Sequence, residues 1–203
     1  MKSNSITNSS TDGGIPVITE YIPGCESVGY MVAVGTGSRD ETPDIFGLSH
    51  LLEHVVFRET KTRTSYQMAK EMEGAGGELN AFTGRELTAF FGVTIRETKD
   101  VAKEMVSDIV SNPLINDEDV ELEKKIVLQE LSMIENEPED RIHDLFPNNM
   151  WKGHPLSQDE GGLPEIVAGL GAPELRKYYD ERYGIPNMAV FAAGNVDTDD
   201  TVA

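Results

Sequence analysis

Two stretches, 15–21 and 27–35, are rich in Val, Ile and Tyr, with Pro23-Gly24 between them. That composition around a Pro-Gly pair predicts two strands joined by a turn. The pattern then changes. Thr42-Pro43-Asp44 opens a helix, with proline tolerated in the first turn and an acid favoured at the positive end. From there to about Glu59, Ile45, Phe46, Leu48, Leu51, Leu52, Val55, Val56 and Phe57 cover every face, which predicts a helix buried on more than one side. Thr64 or Ser65 caps a second helix through Glu73, and Gly74-Ala75-Gly76-Gly77 stops it. Residues 79–82 and 87–95 read as strands joined around Gly84. Val101, Met105 and Ile109 put a helical period on 99–110, ahead of Pro113. A longer helix runs from Asp117 to about Asn136; Pro138 closes it, and a short helix from Asp140 follows. Loops rich in Gly and Pro fill 147–164, a helix covers 173–183 and an apolar strand 188–193. Strand pairs mixed with helices predict an α+β fold, a mixed sheet with helices packed on it. Residues 1–13, rich in Ser, Thr, Asn and Gly, read as a disordered tail, which leaves 14–203 as the folded domain.

Charge narrows the partners. With 36 acidic against 17 basic residues the formal net charge is −19, which argues against a nucleic acid or an anionic membrane surface as partner. Cys25, the single cysteine, has neither a disulfide partner nor a basic neighbour and reads as structural. No apolar stretch approaches transmembrane length and the first residues are polar, so the expected location is cytoplasmic.

Chemistry concentrates in His50-Leu51-Leu52-Glu53-His54. Two imidazoles one helical turn apart project from one side of a helix and reach a single ion. A lone histidine on an apolar face is ordinarily a hydrogen-bonded core residue. Here two histidines and a carboxylate must be neutralised inside one apolar segment, which is costly unless they are paired or bound to metal. Zinc is the first candidate, and His-x-x-Glu-His is the inverzincin pattern. In the helix from Asp117, Ile126, Val127, Met133 and Ile134 flank Glu130, so Glu130 is expected in the middle of a buried stripe, protonated, paired or holding a cation. Glu123 projects from the same face, whereas Glu118, Glu121, Lys124 and Lys125 fit a solvated one. Two histidines and one glutamate leave a fourth position open for water.

These residues resemble those of the M16 metallopeptidases, which include pitrilysin, insulin-degrading enzyme and the mitochondrial processing peptidases. The match extends to the run from Val34-Gly35 through Gly37-Ser38-Arg39-Asp40-Glu41, to Gly77-Glu78-Leu79-Asn80-Ala81-Phe82-Thr83, and to Val127-Leu128-Gln129-Glu130-Leu131, with Glu130 at 76 positions after His54. The resemblance implies that His50, His54 and Glu130 ligate zinc, that Glu53 is the general base and that Glu123 is a supporting acid behind the ligands. It also implies that Asn80 and Ala81 lie on a strand that pairs with an extended peptide substrate. The activity implied is zinc-dependent endopeptidase hydrolysis. The family's catalytic half has two such domains, so a second M16-type domain or subunit is expected as partner. The alternative is a noncatalytic zinc-binding subunit of a heteromeric peptidase.

Overall fold

The structure, a computed structural model, describes residues 4–202. Six strands form one mixed sheet in the order β1-β2-β6-β3-β5-β4. They are β1 (Ser5–Ser10), β2 (Pro16–Tyr21), β3 (Ser27–Val34), β4 (Glu78–Thr83), β5 (Thr88–Ile95) and β6 (Met188–Gly194). β2 runs parallel to β6, and every other neighbouring pair is antiparallel. The helices are α1 (Leu48–Val56), α2 (Ser65–Gly74), α3 (Lys99–Ser111), α4 (Asp117–Asn136), α5 (Pro138–Met150), α6 (Pro164–Val167), α7 (Ala172–Arg182) and α8 (Thr198–Val202). The predicted α+β architecture is the one observed.

Strict alternation puts Val28, Tyr30, Val32 and Val34 of β3 into the core, where Phe90 of β5, Met105 and Ile109 of α3, Leu175 of α7 and the apolar face of α1 meet them. Each large side chain taken fully out of water contributes roughly 1.5–3 kcal/mol. Leu48, Leu51, Leu52, Val55 and Val56 are all fully buried, so α1 is one of the most firmly packed elements of the chain. β4 lies at the edge of the sheet, beside α1. No helix among the described residues is long and apolar enough to cross a membrane.

Several expectations need correction. Ser5–Ser10, expected in a disordered tail, pair antiparallel with β2 as an edge strand. All six residues are exposed, so backbone pairing forms the strand without any apolar alternation to announce it. Residues 1–3 of that tail lie outside the described residues. The helix expected from Thr42 splits in two: Pro43–Ile45 make a short 3-10 turn, and α1 starts only at Leu48 because Gly47 takes a left-handed conformation with φ 95°. α5 begins at Pro138 and continues through Pro147 to Met150, replacing the short helix and the first part of the expected loop. Pro138 occupies the first turn, where its missing N–H costs nothing.

Candidate metal centre

The position of α1 is fixed at its N-terminus by a buried carboxylate and by glycine. Glu41 accepts hydrogen bonds from the backbone N–H of Gly47 (2.8 Å) and of Ser49 (2.6 Å). Ser49 Oγ meets the Tyr178 hydroxyl at 2.9 Å, which meets Thr36 Oγ1 at 2.8 Å. Burial raises the Glu41 carboxyl to about 7, against the pull of those two amides toward the ionised form. A Cβ at residue 47 would stand 2.6 Å from the Gly161 carbonyl oxygen, and one at residue 162 would stand 2.3 Å from the Gly47 backbone. Backbone therefore packs on backbone beside His50, which only glycine permits.

The fixed helix leaves His50, Glu53 and His54 partly exposed. The two imidazole rings meet edge to face, centroids 4.7 Å apart. His50 Nε2 lies 3.9 Å and His54 Nε2 3.5 Å from the same oxygen, Glu130 Oε2. One ligand atom from each of the three residues falls within 4.8 Å of the others. Tetrahedral zinc with bonds of about 2.0–2.1 Å separates its ligand atoms by about 3.3 Å, so these side chains close on such an ion with small adjustments. The donor set fits zinc in kind as well as in spacing, and it leaves one coordination position for water or substrate.

Behind these three side chains, Glu123 is only 5% exposed. Its Oε2 lies 3.1 Å from His54 Nδ1, and its Oε1 lies 3.5 Å from Arg58 Nη1. A carboxylate on Nδ1 sets the tautomer that turns Nε2 toward a metal. The two histidines are driven apart electrically. Burial lowers His50 to about 4, and the second imidazole pushes the same way. Burial also pulls on His54, but the carboxylates of Glu123 and Glu130 outweigh it and raise that ring to about 9. The hydrogen bond with His54 in turn holds Glu130 below its usual range. The carboxylates thus favour positive charge at His54, whereas burial disfavours it at His50.

Glu53 points elsewhere. Its Oε2 accepts a 2.5 Å hydrogen bond from Thr83 Oγ1, at the end of β4. Burial raises its carboxyl, while the Thr83 bond and the His54 charge pull it back. Asn80 and Ala81 lie on the same strand. The Ala81 N–H donates to Asn80 Oδ1 at 2.9 Å. With Gly84 N–H bonded to the Leu87 carbonyl at the hairpin, the register places Ala81 opposite Phe90 at a non-hydrogen-bonded position, so its N–H faces the open edge of the sheet.

Two details of α4 differ from expectation. Ile126 and Met133 are 43% and 65% exposed, so Glu130 does not sit in the middle of a buried stripe. The stripe runs through Val120, Glu123, Lys124 and Val127, and Glu130 stands at its rim with its side chain 44% exposed. Lys124, expected in solvent, is buried, donating to the carbonyls of Ala168 and Leu170 and to Glu121. Arg58, Thr83 and Glu41 also belong to the site, and periodicity marks none of them. Thr83 and Glu41 lie in runs that carry the resemblance, but no spacing rule ties either to the histidines.

The chain's residues 16–160 match the model of the insulinase family, peptidase family M16. The chain belongs to peptidase family M16. An uncharacterized zinc protease of Mycobacterium leprae is 37% identical over 202 residues, a match that covers all of this chain and 45% of that protein. The M16 chain thus spans about half the length of the curated relatives it matches. Among solved structures, a protease from Helicobacter pylori superposes with a TM-score of 0.90 at 21% identity, covering 98% of this chain and 48% of its own. A structure described as an inactive M16 peptidase domain, from Pseudomonas fluorescens, superposes with a TM-score of 0.87 at 13% identity, covering 98% and 48%. These likenesses establish the fold.

Proposed function

We propose that this chain is the metal-bearing domain of a zinc metalloendopeptidase that hydrolyses extended peptides, working with a second M16-type domain or subunit. The observation that carries the reading is the convergence of His50, His54 and Glu130, with Glu53 beside them but bonded to Thr83. A zinc ion held by these three side chains supplies acidity to a water molecule and positive charge near the scissile carbonyl. Glu53 takes the proton of the attacking water on Oε1, the oxygen that Thr83 does not occupy, and returns it to the leaving amine. Burial moves Glu53 in the direction a base needs, toward the pH at which it works. Glu123 holds the His54 ring, and Arg58 balances the charge of Glu123.

The open edge of β4 supports an extended substrate. A peptide strand added there meets the Ala81 N–H, provided that Asn80 Oδ1 lets go of it, and the freed Asn80 amide then faces the incoming backbone. Such pairing reads conformation more than sequence. The likeness to a domain described as inactive gives the second reading its weight: a zinc-binding subunit without turnover. Glu53 separates the two, because a purely structural zinc site has no use for a base beside it.

The test is cleavage of a quenched, unstructured peptide by the full chain with stoichiometric zinc, the Glu53→Gln variant alongside. The expected result is slow cleavage by the wild type and none by the variant, with zinc retained in both. Cleavage by the variant equal to that of the wild type, or a wild type that binds no zinc, would overturn the reading. Zinc retention without cleavage in either would mean that the chain is half of a catalytic unit, and the same pair of proteins is then compared with a second M16-type domain added.

A further inference from the structure

We infer that Thr83 is a positioning residue that reserves Glu53 as a proton acceptor by keeping its carboxylate out of the metal's ligand set. The inference rests on the metallopeptidase reading and extends it to a residue on another element. Three carboxylates, Glu53, Glu123 and Glu130, stand around two imidazoles, and zinc accepts any carboxylate within reach. The structure gives each acid a different partner. Glu123 faces His54 Nδ1 and Arg58, Glu130 faces the two Nε2 atoms, and Glu53 takes the Thr83 hydroxyl. Glu53 adjoins His54 in sequence, yet the cluster of atoms within 4.8 Å of one another holds His50, His54 and Glu130 without it.

The bond that sets Glu53 aside is built to hold. At 2.5 Å it has the length of a hydroxyl donating to an ionised carboxylate, a bond about twice as strong as one between neutral groups. Thr83 is buried and closes β4, which packs beside α1. Its β-branched side chain is stiff about χ1, so the hydroxyl direction follows from the backbone of the strand. Thr83 also lies two residues after Ala81 and so shares its face of β4. The strand proposed to receive the peptide is therefore the strand that orients the base.

The test uses the full chain loaded with cobalt(II), whose visible absorption reports the number and kind of its ligands. Five proteins are compared: the wild type, Thr83→Val, Thr83→Ser, Glu53→Gln and the double variant Thr83→Val with Glu53→Gln. Thr83→Val is expected to keep one cobalt per chain and to change the spectrum as the released Glu53 turns onto the metal. Thr83→Ser, which retains the donor, should restore the wild-type spectrum, and the double variant should match Glu53→Gln. Where cleavage is measured, Thr83→Val should lose about 10- to 100-fold in kcat with KM held. An unchanged spectrum in Thr83→Val, or a change that persists when Glu53 is also replaced, would overturn the inference while the metallopeptidase reading stands. A wild type that takes up no cobalt would instead bring down that reading and the inference with it.

Discussion

Replacing Glu41 by glutamine should flatten a pH dependence that this one carboxyl writes into the stability of the fold. Glu41 is 5% exposed and caps the N-terminus of α1 through the amides of Gly47 and Ser49. Its carboxyl, ordinarily near 4.5, is raised to about 7, chiefly because burial removes the water that would solvate the charge. Between those two pH values the folded chain holds a proton that the unfolded chain has released. The stability contributed by this group is therefore fully present below about pH 4.5 and is lost as pH rises through about 7. At about 1.4 kcal/mol per pH unit, the loss amounts to about 3 kcal/mol. The glutamine of the Glu41→Gln variant cannot ionise, and its single carbonyl oxygen satisfies one of the two amides, leaving the other facing an NH2 group. At pH 5 the variant should accordingly be less stable than the wild type by about 1–3 kcal/mol. By pH 8 the difference should have shifted in favour of the variant by about 2.5 kcal/mol, which closes or reverses the gap. Urea unfolding of both proteins at pH 5, 6, 7 and 8, with a chelator present to remove metal linkage, measures the difference directly, and contributions from groups that do not touch Glu41 cancel. A gap that stays flat, or widens as pH rises, would refute the reasoning.

Two further perturbations address the ligands and their support. Glu130→Gln removes a charged ligand from a half-exposed position, so the fold should survive while zinc affinity, read by competition with a chromophoric chelator, falls by more than the about 10- to 100-fold typical of losing an outer-shell partner. Unchanged metal content would strike Glu130 from the ligand set. Gly47→Ala places a Cβ against the Gly161 carbonyl and Val167 in a left-handed backbone, and should cost about 1–3 kcal/mol in backbone strain alone, with a lower Tm and weakened zinc binding. A stability within about 0.5 kcal/mol of the wild type would show that the Gly47–Gly161 contact relaxes freely.

The metal site is partly legible in the amino-acid sequence. The i, i+4 spacing of His50 and His54 is a property of one helix, so α1 alone dictates that both rings share a face. Glu130 carries a weaker signal, since its apolar neighbours suggest burial whereas α4 turns Ile126 and Met133 to solvent and presents Glu130 at the rim. The partners that orient these groups leave no local trace. His54 meets Glu123 across 69 positions, Glu53 meets Thr83 across 30, and Ser49 meets Tyr178 across 129. Periodicity reports neighbours within an element, and none of these pairs shares one.

The sequence by itself determined most of the elements, because alternation in β3 and β5 and the helical period in α3 and α4 are set within a few turns of chain. It determined the chemistry on offer as well: two imidazoles, an acid between them and the run Asn80-Ala81-Phe82-Thr83. Only the tertiary structure decided which acid does what. Sheet order places β4 at an edge and its last residue against α1, giving Glu53 a hydroxyl; helix packing buries Glu123 behind His54; and Glu130 alone of the three faces both Nε2 atoms, where an ion could be held. The same long-range pairing made a strand of the exposed Ser5–Ser10 and drew Lys124 out of solvent to the carbonyls of Ala168 and Leu170. Side-chain roles among identical carboxylates depend on which donors surround each one, and those donors arrive from distant parts of the chain only when it folds.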